Sequence, residues 1–227
     1  MRRAADWASA LLWHSSGMAD YGTAQEAFWA GDFGDEYSAR NTGEQLLASN
    51  IHLFSTILQR TRRVDSVLEL GANIGNNLRA IAALLPTAEL AAVEINPMAA
   101  RALREWGGAA VHEGSLLDFS PPQRMDLVFT KGVLIHINPE ELPRAYDALV
   151  GASRRYVLVA EYYNPVPVGV AYRGHDERLF KRDFASEMMA RHPELELVGY
   201  GFGYRHDPLF PLDDITWFLM ERSAPTA

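Results

Sequence analysis

One stretch, Val64 to Leu78, reads V-D-S-V-L-E-L-G-A-N-I-G-N-N-L and limits what the rest of the chain can become. Val67, Leu68 and Leu70 form a short apolar run that stops at Gly71. The helical spacing of Leu78, Ile81, Ala82, Leu84 and Leu85 begins just past Gly75. Strand, tight turn and helix follow from that order. Such a turn presents bare backbone N–H groups and a helix N-terminus at the carboxyl edge of a parallel sheet, and Gly71 and Gly75 keep side chains out of the approach. Phosphate-binding loops carry a third glycine or a Gly-Lys-Ser/Thr ending. This turn has Asn73, Asn76 and Asn77, no lysine, and an acid, Glu69, inside its strand. The pattern favours a nucleoside over a pyrophosphate.

The remainder alternates in the same way. Strands are expected near 64–70, 89–95, 109–112, 125–131, 154–161, 195–203 and 214–221, and helices near 75–85, 97–106, 139–150 and 177–191. Thr23 with Glu26, and Thr42 with Gln45, read as capping boxes that open a short helix ended by Gly31 and a longer one whose Leu46, Leu47, Ile51, Phe54, Ile57 and Leu58 face a core. Asn138, Pro139 and Glu141 read as another helix start. A βαβ alternation that closes with two consecutive strands implies a doubly wound α/β domain. Its sheet is mostly parallel, with an antiparallel strand near the end.

At 227 residues one such domain is expected. We divide the chain into a loosely attached extension, 1–22, and a domain, 23–227. The domain comprises a helical cap, 23–60, and a core, 61–227, with an insert at 162–184. Arg2, Arg3, Trp7, Leu11, Leu12 and Trp13 faintly mimic a targeting segment, but Asp6 interrupts the apolar part, so the reading is non-targeting. A formal charge of −8 with interspersed signs disfavours nucleic-acid and membrane-surface partners and favours a small molecule. The absence of cysteine removes disulfides, thiolate metal sites and thiol nucleophiles, and the cytoplasm is the default location.

Glu94 closes the second expected strand roughly twenty residues past the glycine turn, where a carboxylate accepts hydrogen bonds from ribose hydroxyls in nucleotide-binding sheets. The fourth strand runs into Thr130, Lys131, Gly132 and then His136, at the sheet edge where ligands bind. His136 is the one side chain there whose ordinary titration range suits proton removal near neutrality.

E-L-G-A-N-I-G resembles the first motif of class I S-adenosylmethionine (SAM) dependent methyltransferases, E/D-x-G-x-G-x-G, with Asn73 in place of the middle glycine. H-E-G-S-L-L-D-F (112–119) resembles the segment that edges adenine in that family. The resemblance implies a seven-stranded Rossmann-like sheet in the order 3-2-1-4-5-7-6 and SAM as cofactor. It further implies a cofactor set of Glu69, Gly71, Asn73, Gly75, Asn76, Glu94, Ile95, Ser115, Leu116, Thr130, Lys131 and Gly132. Trp29, Tyr37 and Arg40 are candidates from the cap, the aromatics for the sulfonium and Arg40 for its carboxylate. His136 and Tyr172 are the catalytic candidates.

F-W-A-G-D-F-G-D-E-Y (28–37) and the segment 161–184 together resemble methylases associated with pseudaminic acid biosynthesis, which implies a sugar-like or anionic acceptor near Arg173, His175, Arg178, Lys181 and Arg182. The reading is therefore methyl transfer to oxygen or nitrogen of a small polar metabolite. The alternative is a SAM-cyclising lyase resembling azetidine-2-carboxylate synthases, with Tyr172 and Asn138 or Asn164 around the methionyl chain. A non-catalytic SAM-binding partner is a third reading.

Overall fold

A computed structural model describes residues 21–40, 43–172 and 175–223, without the side chains of 39, 40, 171, 172 and 175–178. The expected extension up to residue 20, together with Thr42, Arg173 and Gly174, lies outside the described residues.

The sheet order is β3(Ala110–Glu113), β2(Glu89–Glu94), β1(Ser66–Leu70), β4(Met125–Lys131), β5(Ser153–Glu161), β9(Ile215–Arg222), β8(Leu195–Gly203). The first five are parallel, and β9 runs antiparallel between β5 and β8. This is the expected doubly wound, seven-stranded, mostly parallel sheet. The order matches 3-2-1-4-5-7-6 once β6(Val168–Tyr172) and β7(His175–Lys181) are set aside, because these two form a separate antiparallel hairpin.

Alternation along the strands builds a core on each face. Leu68, Leu70, Val128, Val157 and Val159 pack on the side of α6(Leu142–Ala152) and α7(Phe184–Arg191). Val67, Leu127, Phe129, Tyr156 and Leu158 pack on the opposite side, with Phe54 and Ile57 of α3(Glu44–Leu58), Leu78 and Ile81 of α4(Asn76–Leu84), and Leu103 of α5(Pro97–Trp106). Two short helices, α1(Ala24–Ala30) and α2(Asp32–Arg40), complete the cap.

Four local expectations change. The helix placed at 177–191 starts only at Phe184, capped by Asp183, because the residues before it pair as β7. Asp32–Arg40, whose sequence shows no clear period, is helical. The 138–141 segment is a turn in which Asn138 Oδ1 accepts the Glu140 N–H at 3.2 Å, and α6 follows from Leu142. Finally, α3 has Gly43 as N-cap with no side-chain cap, and Gln45 donates instead to the Leu209 carbonyl. The Thr23–Glu26 capping box is present on both of its arms. No helix among the described residues is long and apolar enough to cross a membrane.

Candidate active site

The parallel strands β1 and β4 sit side by side, yet the chain leaves β1 for β2 on one side and reaches β5 from β4 on the other. Their carboxyl ends therefore open a crevice at the switch point. Above it lies one large cleft. Its floor is the elbow after β1. Gly71, Asn73 and Gly75 all have left-handed backbones, at φ of 79°, 48° and 86°. Asparagine is among the few non-glycine residues that adopt this conformation at modest cost, so Asn73 fills the motif's middle glycine position without changing the turn. Its amide also does what glycine cannot: Oδ1 accepts the Ile74 N–H at 2.7 Å and Nδ2 donates to Ser38 of α2 at 2.9 Å.

Glu94, at the end of β2, lines the cleft beside this elbow. The Asn73 N–H donates to one carboxylate oxygen at 2.6 Å and the Asn96 N–H to the other at 2.8 Å. Burial pushes the Glu94 carboxyl above its ordinary range, while the amides of Asn96, Asn73 and Ile95 draw it back. The result is an oriented acceptor with lone pairs to spare.

The cap closes the cleft from above. Asn96 Nδ2 donates to Asp35 at 2.8 Å and to the Trp29 carbonyl at 3.3 Å, and the Ser115 hydroxyl donates to Glu26. Trp29 stands over His136 with ring centroids 4.6 Å apart and meets Tyr37 edge-on at 5.3 Å.

No protein-family profile matches the chain, and no curated protein matches it by sequence. Solved structures match along most of its length. The magnesium protoporphyrin IX methyltransferase of Synechocystis PCC 6803, solved with bound SAM, is 12% identical with a TM-score of 0.64, covering 90% of this chain and 100% of its own. The 1,6-didemethyltoxoflavin-N1-methyltransferase of Burkholderia thailandensis, solved with bound 1,6-didemethyltoxoflavin and S-adenosylhomocysteine, is 14% identical with a TM-score of 0.66, covering 93% of this chain and 94% of its own. Mitomycin 7-O-methyltransferase is 12% identical with a TM-score of 0.65, covering 97% of this chain and 68% of its own. The fold is that of the class I SAM-dependent methyltransferases.

Within this methyltransferase fold, Trp29, Tyr37, Gly71, Asn73, Asn76, Glu94, Ile95, Ser115, Leu116, Lys131, Gly132 and His136 all line the one cleft. Three expected contacts do not. Glu69 is fully buried beneath the elbow, on the α3/α4 side of β1, where Asn77 Nδ2 donates to it at 2.6 Å. Thr130 is fully buried, its hydroxyl without a partner among the described residues. Gly75 is a packing glycine: a Cβ there would lie 2.5 Å from Leu103 Cδ2. The side chains of Arg40 and Tyr172 lie outside the described residues. Asn138 and Asn164, the asparagines expected around the methionyl chain in the cyclising alternative, do not line the cleft, and Asn164 donates to the Val166 carbonyl. Lys181 sits over the Tyr162 ring and Arg182 pairs with Glu187 at 2.8 Å, so neither faces the cleft.

Five polar residues of the cleft were given no site role from the sequence: Gln25, Glu26, Asn50, Asn77 and Asp213. Asn50 carried a readable signal, an amide four residues after Leu46 and four before Phe54 on an apolar helix face. It is 1% exposed with neither amide atom partnered among the described residues. Lys131 completes this end of the cleft. Burial lowers its ammonium's proton affinity, and Glu69, Asp213 and Glu161 raise it.

Proposed function

We propose that the chain is a SAM-dependent methyltransferase acting on an oxygen or nitrogen of a small polar metabolite. The observation that carries this reading is the open glycine elbow with Glu94 held beside it by the amides of Asn73 and Asn96. A nucleoside laid over the elbow meets Glu94 with its ribose hydroxyls and the Ser115–Leu116 segment with its base.

The residues at the other end fit the amino-acid part of SAM. Lys131 offers a cation to a carboxylate, Asp213 an anion to an ammonium, and Asn50 a buried donor and acceptor that are otherwise unpaired. Leaving such an amide unpaired costs about 1–3 kcal/mol, which a bound polar group recovers. A Cβ on Gly132 would meet no protein atom within 4 Å and would project into space the ligand needs. The cleft holds about 1150 Å³ with its mouth included.

When bound, SAM supplies a methyl group already activated by its sulfonium. The chain must then align the acceptor, exclude water and take up one proton. Trp29 and Tyr37 close the cleft from the cap, and His136, under Trp29, is the residue we assign to proton acceptance. The resemblance of segments 28–37 and 161–184 to the pseudaminic acid-associated methylases supports a sugar-like or anionic acceptor. Incubation with methyl-labelled SAM and a panel of sugars, nucleotide sugars and small acids tests the reading. Formation of S-adenosylhomocysteine with a labelled acceptor supports it. Release of methylthioadenosine from SAM alone contradicts it.

A further inference from the structure

His136 is the last residue of a single 3₁₀ turn, Leu134–His136, and so short a turn fixes little by itself. Its internal bonds run from the His136 N–H to the Val133 carbonyl at 2.9 Å and from the Ile137 N–H to the Leu134 carbonyl at 3.1 Å. The amides that open the turn have no partner within it, and the N-cap residue, Val133, has no side chain able to cap. A carboxylate from another strand takes that place. Glu161, the last residue of β5, accepts the N–H groups of Val133 and Leu134 on one oxygen, Oε1, at 3.1 Å each.

We propose that Glu161 is the positioning residue of His136: by capping the turn from the end of β5 it sets the imidazole against Trp29 in the lining of the cleft. This rests on the assignment of His136 to proton acceptance.

Glu161 is 2% exposed, and its second oxygen has no partner among the described residues. Keeping a carboxylate so deep, half-satisfied, is costly, and a residue needed only to fill space would be apolar. Among the described residues no cation forms a close ion pair with it. Lys131 attracts it from β4, Tyr146 of α6 lies within electrostatic reach, and Arg182 beside it is engaged by Glu187. Burial drives the carboxyl up to about 7, while the amides of Val133, Leu134 and Ile135 hold it down. A proton arriving on the unpartnered oxygen leaves Oε1 free to accept. Glutamine reproduces that protonated form, and leucine removes the cap while keeping the volume.

The test needs no acceptor. The ring of Trp29, 4.6 Å from that of His136, shifts the imidazole proton resonances, which therefore report the position of His136. We expect Glu161→Leu to move those resonances toward unshifted values and to speed amide exchange at 133–135 by about tenfold, the worth of one hydrogen bond. Glu161→Gln should restore both, and SAM affinity by calorimetry should stay within about twofold in either variant. Should Glu161→Leu fail to fold, Glu161→Asp, which draws the carboxylate back by one methylene, is read in the same way. Imidazole resonances that stay at their unmodified positions in a folded Glu161→Leu protein, or a Glu161→Gln protein that fails as leucine does, overturn the proposal. Absence of SAM binding in the unmodified chain overturns the methyltransferase reading, whereas the imidazole and exchange data still decide the cap.

Discussion

The Asn73 N–H donates to Glu94 Oε2 at 2.6 Å, joining the left-handed elbow after β1 to the acid that ends β2. Two elements that each looked suited to a nucleoside in sequence are one unit in space. The elbow fixes the carboxylate's direction, and the carboxylate satisfies an elbow amide that would otherwise point into the cleft.

Glu94→Ala leaves the Asn73 and Asn96 amides without an acceptor and removes the ribose partner. SAM affinity should fall about 10–100-fold, the cost of losing a hydrogen bond to a charged group. Glu94→Gln, which keeps an acceptor but loses the charge, should fall between. Isothermal calorimetry on the three proteins checks the order.

Asn73 supplies both a left-handed backbone and a tie to Ser38. Asn73→Ala should cost roughly 1–2 kcal/mol for the strained backbone, read by chemical denaturation. Asn73→Gly relieves the strain but loses the tie. It should therefore retain more stability than alanine while the cap, residues 23–40, exchanges its amides faster than in the unmodified chain.

Burial pushes the Glu69 carboxyl up to about 8, against the opposing pull of Asn77 and Lys131. Its folded value lies above the free carboxyl's 4.5, so the folded chain holds the proton more tightly and stability falls as pH climbs from about 4.5 to about 8. Glu69→Gln keeps an acceptor for Asn77 and has no charge to bury. It should melt above the unmodified chain at pH 8, by an amount worth a few kcal/mol at most, and the difference should close toward pH 4. Parallel melting curves across that window contradict the assignment.

His136→Ala should lower methyl-transfer turnover by about 10²–10⁴-fold, the usual contribution of a general base, once an acceptor is in hand. SAM affinity should change by no more than about threefold, because the ring packs against Trp29 of the cap rather than on the elbow or Glu94. Initial rates of S-adenosylhomocysteine formation and a SAM titration separate the two effects.

The sheet was legible because its strands are buried on both faces and read as apolar runs between helical repeats, as in Val67–Leu70 and Leu127–Phe129. The β6–β7 hairpin was not. Polar and charged residues such as His175–Arg178 carry no strand period, and Arg182 and Asp183 looked like an extension of the helix that follows. The elbow and Glu94 were legible because backbone conformation and strand end dictate them locally. Asp213 and Glu161 have no local signal, because tertiary packing alone brings them to the cleft or to the turn beside it, and the amide of Asn50 on an apolar helix face signals burial without saying which cavity it meets. The same packing explains why Glu69, adjacent to the elbow in sequence, points away from it: alternation along β1 puts it on the face of Val67, beneath α4.

The most direct measurement follows backbone amide resonances during a titration with S-adenosylhomocysteine. Seating of the nucleoside over the elbow predicts saturable shifts concentrated at Gly71, Asn73, Gly75, Asn96 and Ser115, with a dissociation constant in the range of roughly 1 μM to 1 mM typical of enzyme ligands. Unchanged resonances at the elbow, or saturable shifts confined to another surface, would contradict it.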